Sequence, residues 1–370
     1  MANIVEELYS KIDQGREGRN IGLKTGLPKL DLYTGGFQKG VYKLVFGNSG
    51  AGKSSFVIYT DVYRVLKDYP DKDVLHVYFS LEMSAEVLLA KLLSLYLEEE
   101  YGLEVPFMDL MSIKKKLPDH IYSYILQARE WLNSVSEKII IFDKPLSAEV
   151  FNSSMMEIFN KYGKFTKVDG GKRTVYTPNN PEKIINIILD HAGLCTCSHG
   201  RSKKEEIDLI SSYCVRFREV CGASIDFIMQ ENRNASNMDR RKADLSESTV
   251  DDIKDSGSPQ NDCTMCLAVY FPLKYQLTSY RGYRILDSKD GGLGLGGAVR
   301  GILLLKNRFG NANKAFVTGF QGSIGKFVEL PKPDEINYDL YQSWKEEKED
   351  EKRDVQEEKP QDFKKLNFKF

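Results

Sequence analysis

Between residues 41 and 330, short apolar runs alternate with stretches whose apolar residues recur at helical spacing. VYKLVF (41–46), VLHVYFS (74–80), KIIIFD (138–143), IINIILD (184–190) and SIDFIMQ (224–230) are bounded by polar or turn residues and read as buried strands. Between them, stretches such as 55–67 and MSAEVLLAKLLSLYL (83–97) place apolar residues on one helical face. Alternation of this kind predicts an α/β fold with a mostly parallel central sheet. Three further runs, RGILLLKN (300–307), KAFVTGF (314–320) and GKFVEL (325–330), follow one another with turn residues and no helix between them. The sheet is therefore expected to end in antiparallel strands.

The pattern is different at both ends of the chain. In residues 1–16, Ile4, Val5, Leu8 and Ile12 line one face of an amphipathic helix that could dock on another surface. From Pro331 onward few aliphatic residues remain, and 13 of the 15 residues from Lys345 to Lys359 are charged, which predicts a disordered tail. The expected layout is a helix within 1–18, one domain over 19–330 and a tail over 331–370. Within the domain, KFTKV and RTVYT flank Asp169-Gly170-Gly171-Lys172 and predict a hairpin insertion at 164–177 carrying Lys164, Lys167, Lys172 and Arg173. Such a basic ribbon could touch nucleic acid, although a solvated hairpin is the commoner outcome.

Charge changes the picture little. The formal net charge is -1, so contact with nucleic acid must come from local patches. No run of 18 apolar residues and no signal-peptide core occurs, so no membrane contact is expected and a cytoplasmic location is. Six cysteines in 370 residues do not suggest a disulfide framework. Cys195, Cys197 and His199 with Cys263 and Cys266 could supply zinc ligands, but the last two enter the apolar run TMCLAVYF, which suits small buried residues better.

Candidate chemistry starts at Gly47-Asn48-Ser49-Gly50-Ala51-Gly52-Lys53-Ser54-Ser55, which fills the G-x-x-x-x-G-K-[ST] spacing between a strand and a helix. In that order, backbone N–H groups cradle phosphates, the lysine reaches the terminal phosphates and the hydroxyl reaches magnesium. Hydrolysis also needs a magnesium-side carboxylate and a group that orients water. Asp190 closes IINIILD at the C-terminal edge of a central strand, although aspartates also end strands for turn chemistry. Glu82 follows VLHVYFS, where it could polarise water or merely favour a helix N-terminus. Lys306 and Arg308 alternate at the end of GILLL and share a face, as cations serving a neighbouring subunit's phosphate would, or as a pair of solvated edge cations.

These stretches, with TGLPKLDLYTGGFQKG (25–40), FSLEMSAE (79–86), IILDHAGL (187–194), MQENR (229–233), DIKDSGS (252–258) and KNRFG (306–310), resemble the C-terminal motor domain of DnaB-family replicative helicases, which have the RecA-like fold. The resemblance implies an ATP- and Mg2+-dependent enzyme that moves 5′ to 3′ on single-stranded DNA as a hexameric ring and unwinds forked DNA. Lys53 and Ser54 would then bind phosphate and magnesium, Glu82 would be the catalytic base, Asp190 the magnesium-side acid and Gln230 a sensor of the γ-phosphate. Lys306 and Arg308 would act on the adjacent subunit's ATP, with Arg308 as arginine finger. Lys254, Asp255 and Gly257 would contact DNA phosphates, and Arg240, Arg241 and Lys242 could add attraction, though a solvated loop explains them nearly as well.

The chain also departs from the family pattern. Only 46 residues precede Gly47, too few for the family's N-terminal collar, which argues against its primase contact. The helix at 4–12 would correspond to the linker helix. A primase, loader, polymerase or single-strand-binding protein are the partner classes that come with the resemblance. DHAGL differs from the usual D-Y-L-Q-L, Lys254 stands where arginine is common, and the 164–177 hairpin and the 272–299 stretch are additions that suggest a divergent, phage-type member. The alternatives are a RecA-like recombinase or mediator forming filaments on single strands, against which SLEM and KNR argue, and a regulator that hydrolyses little, against which the Glu82, Asp190 and Arg308 set argues.

Overall fold

The computed structural model describes residues 4–113, 116–198, 200–232, 247–254, 257–286 and 294–336. The expected charged tail lies outside the described residues beyond Ile336. Helices α1 (Ile4–Arg16) and α2 (Pro28–Thr34) precede strand β1 (Tyr42–Gly47). The remaining strands are β2 (Val74–Ser80), β3 (Ile139–Phe142), β4 (Gly163–Val168), β5 (Arg173–Pro178), β6 (Ile184–Asp190), β7 (Ser224–Gln230), β8 (Met265–Tyr270), β9 (Ser279–Tyr280), β10 (Tyr283–Arg284), β11 (Val299–Asn307), β12 (Lys314–Gln321) and β13 (Lys326–Glu329). Nine of them form one sheet in the order β13-β12-β11-β8-β1-β7-β6-β2-β3.

From β8 to β3 every pairing is parallel, and β11, β12 and β13 are added antiparallel, which is the mixed sheet that the run of helix-free strands predicts. Every residue of β1 and β2 is buried, because helices cover both faces. Tyr42, Leu44 and Phe46 point to the face packed with Phe151, Phe159 and Phe217, from helices α9 (Ala148–Tyr162) and α10 (Lys203–Cys221). Val45 points the other way, to Phe56, Val62 and Leu92. Those belong to α3 (Lys53–Val57), the π-helical stretch Ile58–Tyr63 and α5 (Ala85–Tyr101), and Leu66 of α4 (Arg64–Asp68) joins the same core. Period-two alternation along each strand thus splits one apolar run between two cores. Helices end where the chemistry dictates: Ser202 and Glu205 make a reciprocal capping box at the start of α10, and Gly222 closes it in the left-handed region.

The expected hairpin is present, with Lys164 opposite Thr177 and Val168 opposite Arg173, and Phe165 and Tyr176 in ring contact on its inner face. In α1, Val5, Leu8, Tyr9 and Ile12 are about half exposed or more, so the apolar stripe is not buried within the chain. The six cysteines are free, and among the described residues no group of three or more metal-ligating side chains gathers; His199 lies outside them. No helix among the described residues is long and apolar enough to cross a membrane.

Under the N-terminal ends of the parallel strands lies a fully buried polar network. Lys43 pairs with Asp61 and with Asp226 at 3.0 Å, and Asn186 Nδ2 donates to Asp226 at 2.9 Å and lies 3.4 Å from His76 Nδ1. Burial pushes the His76 imidazole down from 6.5 to about 4. The unfolded chain therefore takes up this proton first, so the stability that neutral His76 contributes is complete above pH 6.5 and is lost as pH falls towards 4. The expected loss is on the order of 3 kcal/mol. Urea unfolding of the wild type and His76→Gln across this window checks it: the stability difference between the two should shift by that order, and a constant difference would contradict the assignment.

Candidate functional site

Four strand ends meet at one edge of the sheet. Gly47 lies opposite Gln230, and Ser80 opposite Asp190, so β1, β7, β6 and β2 deliver their last residues side by side. The loop from Gly47 to Gly52 leaves this edge and enters α3 at Lys53. Glycine is required at both ends of the loop. At Gly47, φ is 156° and a Cβ would lie 2.3 Å from the Val269 carbonyl oxygen; at Gly52, φ is 94° and a Cβ would press on the Phe320 ring at 3.0 Å. Gly50 also has a positive φ, 79°, the Ala51 N–H donates to the Asn48 carbonyl at 3.2 Å, and the loop leads into a helix N-terminus, a fitting arrangement for an anion.

Lys53 Nζ donates to the Asn48 carbonyl at 2.9 Å, folding the side chain back over the loop. Burial lowers its ammonium below the ordinary lysine range, and the carboxylates of Asp190, Glu82 and Glu231 act against that. Ser54 Oγ donates to Asp190 Oδ1 at 2.7 Å, and Tyr78 OH donates to Oδ2 at 2.7 Å. Asp190 is fully buried; burial raises its carboxyl above the ordinary range and the two hydroxyls pull it part of the way back. Ser55 begins the buried side of the helix, with Lys91 Nζ of α5 at 3.5 Å from its Oγ.

Glu82 is exposed in the turn between β2 and α5, and its charge acts on Lys53, Lys91, Asp190 and His191, so it faces this cluster. Gln230 ends β7 beside Gly47, and its carbonyl accepts a hydrogen bond from the Lys254 N–H at 3.0 Å. Asn232 N–H donates to the Asp252 carbonyl at 2.7 Å, and Glu231 bridges Ile253, so the segment bearing Lys254 is stitched to the end of β7. Lys254 and Gly257 are exposed, Gly257 standing before the short helix Ser258–Asp262. Asp255, Arg240, Arg241 and Lys242 lie outside the described residues.

Lys306 and Arg308 are together, but not here. Lys306 Nζ donates to the carbonyls of Gln260 at 2.7 Å and Asn261 at 3.0 Å, and Arg308 Nη2 donates to Asn261 at 2.9 Å. Through the register, Asn307 lies opposite Met265 and Met265 opposite Lys43, four positions before Gly47 on β1. At the rise of a strand that is a displacement of about 13 Å along the strand direction, towards the opposite edge of the sheet, and β11 is also two strands away from β1.

A profile of the family described as DnaB-like helicase C terminal domain matches residues 22–329. The chain belongs to this family. It is 27% identical over 283 residues to the replicative DNA helicase DnaB of Helicobacter pylori, covering 74% of this chain and 50% of that protein. To the replicative DNA helicase DnaB of Mycoplasma genitalium it is 23% identical over 276 residues, covering 73% and 50%. The chain thus spans about half the length of the curated relatives it matches. Among solved structures, the ATPase domain of G40P superimposes with a TM-score of 0.66 at 17% identity, over 90% of this chain and 100% of that one. A DnaB-like replicative helicase whose structure describes its interactions with primase gives 0.62 at 17%, over 90% and 68%. These two share the RecA-like fold seen here.

In this DnaB-like site the motif residues were legible, while several of their supports were not. Tyr78 sits mid-strand in an apolar run, where nothing distinguishes it from core. Lys91 did carry a signal, a lone cation inside LLAKLLSLYL, yet only the fold aims it at Ser55. Arg300 and Tyr275, which touch the loop or its partners, are distant in sequence and carry no motif, and Glu231, though inside MQENR, gave no sign of its bond to Tyr275. Replacing Tyr78 by Phe removes a donor from a carboxylate with no exposed surface, so a loss of roughly 1–3 kcal/mol is expected. Thermal unfolding checks this, and an unchanged midpoint would exclude the bond as a stabilising contact.

Proposed function

We propose that residues 19–330 are the motor unit of an ATP-driven replicative DNA helicase that translocates on single-stranded DNA as a ring, hexameric and 5′ to 3′ by family likeness, and unwinds duplex DNA in a bacterial or phage-infected cytoplasm. The observation that carries this reading is the division of a phosphoryl-transfer machine between two edges of one sheet. Cradle, lysine, hydroxyl and carboxylates sit at the C-terminal edge, whereas Lys306 and Arg308 are set back about 13 Å along the strand direction. A site so divided is completed by a second copy docked head to tail, and such an interface closes into a ring when its rotation allows.

The residues present fit magnesium and a nucleoside triphosphate. Ser54 Oγ and Asp190 are hard oxygen donors already 2.7 Å apart, and would hold Mg2+ directly or through water. Bound magnesium would neutralise charge developing on the phosphates. Lys53 exchanges its bond with the Asn48 carbonyl for phosphate oxygens, and amides of the loop and of the first turn of α3 hold the rest. Glu82, exposed and facing the cluster, orients water and takes its proton. Gln230 reads the terminal phosphate, and its backbone bond to Lys254 passes a shift at the nucleotide to the DNA-contacting segment. Lys254 and the Gly257 backbone contact phosphates of the strand without reading its bases.

The first test is ATP-dependent displacement of a labelled strand from a fork with a free 5′ tail. The wild type is expected to displace it, Lys53→Ala to fail, and Glu82→Gln to slow turnover on the order of 10²-fold or more. Turnover untouched in Glu82→Gln would remove that residue from the role of base. Displacement absent despite DNA-stimulated hydrolysis would favour a filament-forming ATPase, which particle images distinguish from rings. For the DNA segment, Lys254→Ala should weaken single-strand binding and reduce the salt slope by about one. If the slope does not move, Lys254 does not contact phosphate.

A further inference from the structure

The carbonyls of a phosphate loop must point away from its ligand, because its amides point inward, and each outward carbonyl needs a donor. In this chain side chains from beyond residue 271 supply those of Ser49, Gly50 and Ala51, while the Asn48 carbonyl accepts from Lys53 and from the Ala51 N–H. Lys274 Nζ donates to the Ser49 carbonyl at 2.9 Å. Arg300 Nε donates to the Ala51 carbonyl at 2.8 Å, and its Nη2 reaches Gly50 at 3.4 Å. Asn48 Nδ2 donates to Tyr275 OH at 2.6 Å, and that hydroxyl donates to Glu231 Oε2 at 3.1 Å, next to Gln230.

Arg300 is unusual in its surroundings. It is 4% exposed, its guanidinium lies 3.7 Å from the Phe271 ring centroid and 4.9 Å from that of Phe320, and Nη1 donates to Gly297 at 2.5 Å and Val299 at 2.9 Å. Every acceptor is a neutral carbonyl; among the described residues no carboxylate pairs with it, and burial lowers its pKa to about 9. A cation held in a low-dielectric slot without a counter-ion is costly, and an anion bound on the other side of the loop offsets that cost.

We propose that Arg300 is a positioning residue for the phosphate loop, its buried charge awaiting the polyphosphate as counter-ion, and that Lys274 and Tyr275 complete this brace. The inference rests on the reading of the loop as a nucleotide site. It gives a role to part of the added 272–299 stretch: Lys274 and Tyr275 fix Ser49 and Asn48 while Arg300, at its end, fixes Gly50 and Ala51. The brace also connects the loop through Tyr275 to Glu231, so nucleotide contact and the end of β7 share one set of hydrogen bonds.

The experiment is calorimetric titration of the full chain with ADP and magnesium, with thermal unfolding of each free protein alongside. Arg300→Met is expected to weaken binding on the order of tenfold to hundredfold, Arg300→Lys to recover part of the loss, and Lys274→Ala to weaken it several-fold. Folded Arg300→Met with wild-type affinity, whatever its melting point, would overturn the inference while leaving the nucleotide site intact. If Arg300→Met does not fold, Arg300→Lys and Lys274→Ala decide, and unchanged affinity in both overturns it. Absence of binding by the wild type would overturn the nucleotide reading itself, and this inference with it; Lys53→Ala, which keeps the brace but loses the lysine, gives the baseline.

Discussion

A carboxylate with no exposed surface has to be partnered, and Asp190 is the point around which this structure is arranged. Its two oxygens are taken by hydroxyls from different elements, Ser54 from the helix after the loop and Tyr78 from the neighbouring strand. Satisfying both requires β2 and β6 to end level, which the pairing of Ser80 with Asp190 provides, and β1 to reach the same edge beside β7, where Gly47 lies opposite Gln230. The parallel sheet, the helices on both faces and the glycine loop all serve that meeting of strand ends. Burial that raises the carboxyl also makes it a strong attractor for a cation, so the same constraint prepares the edge for charged ligands.

The fold was largely legible because a parallel sheet covered on both faces writes itself as continuous apolar runs, and VYKLVF, VLHVYFS and IINIILD each became a buried strand. The antiparallel end of the sheet was legible for the complementary reason, the lack of any helical stretch between RGILLLKN and GKFVEL. Less visible were the three helices α6 (Phe107–Leu110), α7 (Asp119–Gln127) and α8 (Arg129–Ser136), which pack with α5 through a separate apolar cluster that carries no motif. The π-helical stretch within the helix after the loop also left no trace, since Ile58–Tyr63 has the same apolar spacing as its flanks.

At the site, residues that act by type and spacing were readable and those that act by position were not. Gly47, Lys53 and Ser54 are fixed relative to one another by eight consecutive residues, so their pattern survives in one dimension. Arg300 lies 249 positions from Ala51, and only the adjacency of β11, β8 and β1 brings it beneath the loop. Lys306 and Arg308 show both sides of this: their alternation is legible, but which edge of the sheet they occupy depends on β11 running antiparallel to β8, with a register shift between Leu304 and Lys306.

In the proposed head-to-tail assembly, a cradle on one edge and the cations Lys306 and Arg308 towards the other have a consequence for counting. In an open row of copies, one terminal cradle lacks cations and one terminal pair of cations lacks a cradle, so complete sites number one fewer than subunits. Closure adds a site without adding a subunit. Every contact, the closing one included, thus completes one site, and loss of a single interface costs a closed assembly one whole site rather than a fraction of every site.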